Sequence, residues 1–121
     1  MRNLFFIILL LCLRSYASES EFNCHDIAIS PDGMAWDPND RNQLITGIVV
    51  CESKSIHRQT QYKDGVKHGK EYITSTNNDR ELINTYSKGE KLIGCEKTKI
   101  GVRTLTRCQN FKTGESTQSL E

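Results

Sequence analysis

Hydrophobic and polar positions fall into two regimes along the chain. Near its start, Leu4 to Leu13 is an unbroken apolar run between Arg2 and Arg14, and small Ser15 and Ala17 follow in the spacing a signal peptidase needs. The run is about half the length required to span a bilayer. It predicts a secretory leader over residues 1–17, removed after Ala17, and not a permanent anchor. Leu11, ahead of Cys12, lacks the small side chain that lipoprotein processing requires. Beyond the leader the apolar groups are short and alternate with polar residues. No stretch has a helical period, so the pattern predicts an all-β chain.

Residues 18–43 read as an N-terminal segment and candidate capping hairpin. Ser18 to Glu21 is polar and predicts a frayed start. Ile27-Ala28-Ile29 and Met34-Ala35-Trp36 flank Ser30-Pro31-Asp32-Gly33, whose proline and glycine mark a tight turn. Asp37 to Asn42 is rich in turn formers and predicts a loop. At the other end, 116–121 is polar and predicts a loose tail.

Between these ends, over 44–115, a unit recurs. An aromatic residue stands three places before a glycine at Tyr62/Gly65, Tyr86/Gly89 and Phe111/Gly114, some two dozen residues apart. A second glycine follows at Gly69 and Gly94, and Gly47 holds that place one unit earlier. Self-similarity on this scale marks a repeat array. Ile48 to Cys51 and Lys70 to Thr74 follow the second glycines as β formers. Polar turns come next, at Ser53-Lys54-Ser55, at Thr76 to Asp79 and near Lys99 to Gly101. Strands Ile56 to Tyr62, Glu81 to Tyr86 and Val102 to Phe111 lead to the aromatics. Each unit is a β-hairpin, and hairpins must stack to be stable in water. The prediction is an elongated, twisted antiparallel sheet.

The stretch Tyr62-Lys63-Asp64-Gly65-Val66-Lys67-His68-Gly69-Lys70-Glu71-Tyr72 resembles the MORN repeat in its bacterial variant form, that of YwqK-type repeat proteins. Tyr86 to Gly94 and Phe111 to Gly114 are degenerate copies, with Asn23 to Trp36 as a candidate capping copy. The resemblance implies stacked hairpins and a scaffolding, membrane-associated or protein-binding role. This chain departs from plain members in its leader and cysteines, which weigh against toxin neutralisation in the cytoplasm.

The cysteines change the picture further. Of the 5 in the chain, Cys12 leaves with the leader, and Cys24, Cys51, Cys95 and Cys108 remain. An even set in an exported chain predicts two disulfides. A fold back near Lys99 to Val102 would place Cys95 opposite Cys108, leaving Cys24 for Cys51; pairing of Cys51 with Cys95 on neighbouring hairpins is the main rival. Only 36 % of the chain is hydrophobic, much of it in the leader, so cross-links would supplement a small core.

Charge and residue chemistry mostly exclude functions. Without Arg2 and Arg14 the 15 acidic residues outnumber the basic ones by one, and His57, Arg58, Lys63, Lys67, His68 and Lys70 are interleaved with Asp64 and Glu71. No phosphate-neutralising excess points to nucleic acid. No Cys-x-x-Cys, Gly-x-Ser-x-Gly or EF-hand spacing occurs, so metal, cofactor and catalytic roles have no motif behind them. The sequence therefore predicts a periplasmic or secreted non-enzyme that binds another protein through Tyr62, His68, Tyr72 and Tyr86. The alternative is a structural envelope component peripheral to membrane or wall. Open sheet edges would permit self-association.

Overall fold

The computed structural model describes residues 20–75 and 79–121, so the predicted leader and most of the Thr76 to Asp79 turn lie outside the described residues. The fold is all β. Strand β1 (Glu21–Asn23) runs parallel to β5 (Gly47–Glu52). From β5 an antiparallel meander continues through β6 (Ile56–Lys63), β7 (Val66–Ser75), β8 (Arg80–Ser87), β9 (Glu90–Ile100), β10 (Arg103–Asn110) and β11 (Ser116–Leu120). Between β1 and β5 lie a 3-10 turn at Cys24–Asp26 and a separate three-stranded sheet of β2 (Ala28–Ile29), β3 (Ala35–Asp37) and β4 (Asp40–Leu44).

Two-residue turns close the repeat hairpins. Asp64-Gly65 and Lys88-Gly89 both have left-handed backbone at both positions, with φ of 51° and 83° in the first and 50° and 83° in the second. This primed geometry matches the right-handed twist of the flanking strands and explains the glycine three places after each tyrosine. The residues before the second glycines tie successive units together. Thr46 Oγ1 accepts a hydrogen bond from Asp64 N at 2.9 Å, and His68 Nδ1 accepts one from Lys88 N at 3.2 Å. Beside them, Gly65 N donates to Ile45 O and Gly89 N to Lys67 O, each at 2.8 Å. Both of these turns thus dock their backbone donors on the preceding unit.

Of the second glycines, Gly47 begins a strand, while Gly69 and Gly94 stand inside longer ones. Gly69 lies inside β7, where His68, Gly69 and Lys70 stand opposite the single residue Gln61, and its φ is 99°. That bulge needs a residue tolerant of positive φ and close backbone approach. The Phe111 copy departs as well. Phe111 stands in a longer turn, closed by Asn110 N to Glu115 O and Gly114 N to Asn110 O, both 2.8 Å. The Asn110 side chain caps it by accepting from Lys112 N and Thr113 N.

Three polar segments are more ordered than their composition suggests. The predicted tail is β11, paired with β10 from Leu105/Leu120 to Gln109/Ser116. The predicted loop after Asp37 is a hairpin turn at Pro38-Asn39, and Asp40 opens β4. The predicted frayed start reaches order at Ser20, whose carbonyl accepts from Ile48 N at 2.9 Å. Edge strands wet on both faces need backbone partners but no apolar side chains, so polarity alone did not separate them from loops.

The core is small and sits at one end. Ala35 and Ile45 from the N-terminal layer meet Val49 and Tyr62, with Phe22, Cys24 and Ile27 packed around them. The small sheet therefore caps one face of the meander over its first strands. Ala35 N donates to Gly65 O and Ile45 N to Ala35 O, which ties the cap to the first repeat turn. Disulfides join Cys24 to Cys51 and Cys95 to Cys108; the second links directly opposed residues of β9 and β10 with Cα atoms 4.1 Å apart. Pairing across the Gly101 turn thus follows the hairpin register.

Lys88 holds a left-handed conformation without the local hydrogen bonding that makes it tolerable for Asn. Lys88→Asn should raise stability by roughly 0.5–1 kcal/mol, read as a higher thermal midpoint, because the bond to His68 uses only the backbone.

Candidate functional site

Cross-strand register fixes which side chains share a face. Phe22, Val49, Thr60, Glu71, Asn84, Gly94 and Gln109 form one row across the capped face. One position along, Val50, Gln59, Tyr72, Ile83, Cys95 and Cys108 form the matching row on the opposite, free face.

Glu71 is the centre of the capped row and is 3 % exposed. Thr60 Oγ1 donates to its Oε2 at 2.9 Å and Asn84 Nδ2 to its Oε1 at 3.0 Å. Lys67 Nζ lies 3.1 Å from Oε2, and Tyr86 OH donates to Oε1 at 3.5 Å. The bulge at His68 to Lys70 brings Lys67 and Glu71 onto one face. Lys67 also stands over the Tyr86 ring, 4.9 Å from its centroid. Burial opposes the charge on Glu71, but the bonds from Asn84, Lys67 and Thr60 outweigh it and hold the carboxyl below the usual glutamate range. Burial likewise opposes the charge on Lys67, and the Glu71 carboxylate outweighs it and raises its pKa. Burial raises the phenol pKa of Tyr62 and Tyr86. A carboxylate held ionised, with both oxygens accepting, is arranged as a lock between β6, β7 and β8 and not as a proton donor.

The four predicted binding residues do not form one patch. Tyr62 is 6 % exposed in the core, and Tyr86 is half-buried against Lys67 and Glu71. His68 is occupied in holding the next turn. Tyr72 lies on the free face and is 36 % exposed, in the company of Val50, Ile83, Ile93 and the Cys95–Cys108 disulfide. Sequence reasoning missed Glu71 and Lys67. Their signal was an acidic residue in mid-strand, at a position whose alternation with Tyr72 points it inward.

Past the cap, the same face carries an open groove of about 500 Å³, with Leu82, Lys91, Glu96, Arg107, Phe111 and Gln118 in its lining. Glu96 is held by Arg80 at 2.8 Å, and Lys91 lies over the Phe111 ring, 5.4 Å from its centroid. Among the described residues no group of three or more His, Cys, Asp or Glu side chains could hold a metal ion, and no helix is long and apolar enough to cross a membrane. Comparison with family models, curated proteins and solved structures found no match to this chain.

Removing the Glu71 carboxylate strands Thr60, Asn84 and Lys67, so Glu71→Ala should cost about 3 kcal/mol in chemical denaturation. The pH dependence has two limbs. Because the folded pKa of Glu71 is depressed, its contribution is complete above the ordinary value of about 4.3 and is lost as pH falls through the folded value. Because that of Lys67 is raised, its contribution is complete below about 10.4 and is lost as pH rises through the folded value. Glu71→Gln should flatten the acid limb of thermal midpoint against pH, and Lys67→Met the alkaline limb.

Proposed function

We propose that this protein is an exported, non-catalytic repeat scaffold whose free sheet face binds another protein. The observation that carries the reading is the free-face row. Val50, Tyr72 and Ile83 run from β5 to β8 with no layer above them among the described residues, while the cap occupies the opposite face. An amphipathic tyrosine on a rigid strand, with aliphatic Ile83 opposite it on one side and polar Gln59 on the other, fits the mixed apolar and polar composition of protein interfaces, where tyrosine is enriched. Two disulfides point to an oxidising compartment, which accords with the leader-like run before Ala17. The likeness to MORN-type repeats rests on Tyr62 to Tyr72 itself and supports the scaffold class, because the repeat elements are spent on stacking hairpins.

The test is capture with the tagged protein recovered after export, exposed to envelope extract of its source organism. One dominant stoichiometric protein is expected. Tyr72→Ala should weaken its retention about tenfold or more while leaving the thermal midpoint nearly unchanged. Tyr62→Ala, in the core, should instead destabilise the fold by about 3 kcal/mol. Envelope fragments alone, released by salt or detergent, would replace this reading with the structural role.

A further inference from the structure

The outer edge of β11 carries a second, more specific indication of partner chemistry. Thr104 N donates to Glu121 O at 2.9 Å and Glu121 N to Thr104 O at 3.0 Å, so these two residues form a reciprocally bonded pair. Antiparallel ladders alternate such pairs with unbonded ones. The bonded partners of β10 are therefore Glu115, Thr117, Ser119 and Glu121. Ser116, Gln118 and Leu120 turn their N–H and C=O groups outward, and no described strand lies beyond them. Natural sheets blunt such edges with charge, proline or bulges. Between Ser116 and Leu120 this edge has none of these.

Charge stands only at the two ends of the edge. Glu115 immediately precedes β11 and Glu121 immediately follows it, at the odd positions that Thr117 and Ser119 hold on the free face within the strand, six residues apart and thus roughly 20 Å along it. Neither carboxylate has an ion-pair partner among the described residues. This arrangement disfavours a second copy. Antiparallel self-pairing centred on Gln118 uses all three outward residues but sets Glu115 of each copy against Glu121 of the other, and directly opposed like charges are destabilising. A shift of two residues that separates them leaves either Leu120 or Ser116 without a strand partner, so it uses only two of the three outward residues.

We infer that the β11 edge accepts an extended segment of a different protein as a ninth, antiparallel strand, one with basic residues six apart facing Glu115 and Glu121. Main-chain bonds from Ser116, Gln118 and Leu120 hold the segment, and the two carboxylates select it and set its register. The inference rests on the protein-binding reading but not on Tyr72.

The probe is the blocked peptide Lys-Val-Thr-Val-Thr-Ser-Lys, titrated at low salt into the isotopically labelled protein recovered after export. In the free protein the amides of Ser116, Gln118 and Leu120 should exchange quickly, and on binding their exchange should slow at least about tenfold. The same peptide with glutamate at both ends should bind about tenfold or more weakly. Gln118→Pro removes an outward donor that the internal ladder does not use, so it should abolish binding. Should that variant misfold, Glu115→Lys with Glu121→Lys leaves the backbone intact and should reverse the preference toward the glutamate peptide. Equal binding of the two peptides to the wild type, binding that survives Gln118→Pro in a folded variant, or slow exchange at the three amides before peptide is added would overturn the inference. So would a dimer in sedimentation that Gln118→Pro dissociates, since the occupant would then be a second copy. Failure of the peptide, with capture from extract still dependent on Tyr72, removes the edge site and leaves the binding role standing.

Discussion

Glu71 occupies the middle of β7, where the sheet has one layer and the N-terminal cap ends, and its carboxylate is nonetheless withdrawn from water. Thr60, Asn84 and Lys67 supply the bonds that make this tolerable, one from each adjoining strand and one from its own. A leucine there would fill the space with less demand on its neighbours, since buried ion pairs are poor sources of stability compared with apolar packing. The polar lock constrains register. A slip of one residue turns every side chain of a strand to the other face and would leave Glu71 buried without donors. In a repeat array whose hairpins resemble one another, that penalty distinguishes the correct pairing of β6, β7 and β8 from its near copies.

The other forces are divided along the sheet. Apolar packing is confined to the capped end, where Ala35, Ile45, Val49 and Tyr62 meet. Beyond Glu71 the strands rely on their ladders, on partly buried aliphatic residues such as Leu82 and Leu105, and on the Cys95–Cys108 link. The repeat turns join the two regimes, because the bonds from Gly65 to Ile45 and from Gly89 to Lys67 carry the twist from one unit to the next. A fold with so little interior can keep both a patterned face and a bare edge available without dismantling a core.

Legibility in the sequence followed how local each determinant is. The hairpins at Asp64-Gly65 and Lys88-Gly89 could be read because a primed turn depends on two residues and a glycine declares it. The cysteine pairing could be favoured because a hairpin is symmetric about its turn. Features whose cause lies on another strand were misread or missed: the bulge at Gly69, opposite Gln61, and the order of β4 and β11, set by backbone partners; the altered turn at Phe111 is local, capped by the neighbouring Asn110. The candidate site was the least legible part. Tyr62, Tyr72 and Tyr86 look alike in the repeat, yet alternation and bulges send Tyr72 to solvent and the other two inward. Glu71 looked like one more surface charge.

The two cross-links also bear on how the molecule comes apart. Cys24–Cys51 fastens the cap to the first long strand, and Cys95–Cys108 fastens the last long hairpin, leaving β6, β7 and β8 with no covalent tie to one another. A single-layer array ordinarily frays inward from its margins, one strand at a time. Here the cap end and the β9–β10 hairpin are riveted, only β11 lies outside them, and the unlinked seam between the two ties lies in the middle, beneath the Glu71 lock. Between the two ties, loss of order in the oxidised chain therefore becomes a single cooperative event, and a protease would meet this central part of the ribbon either intact or unzipped.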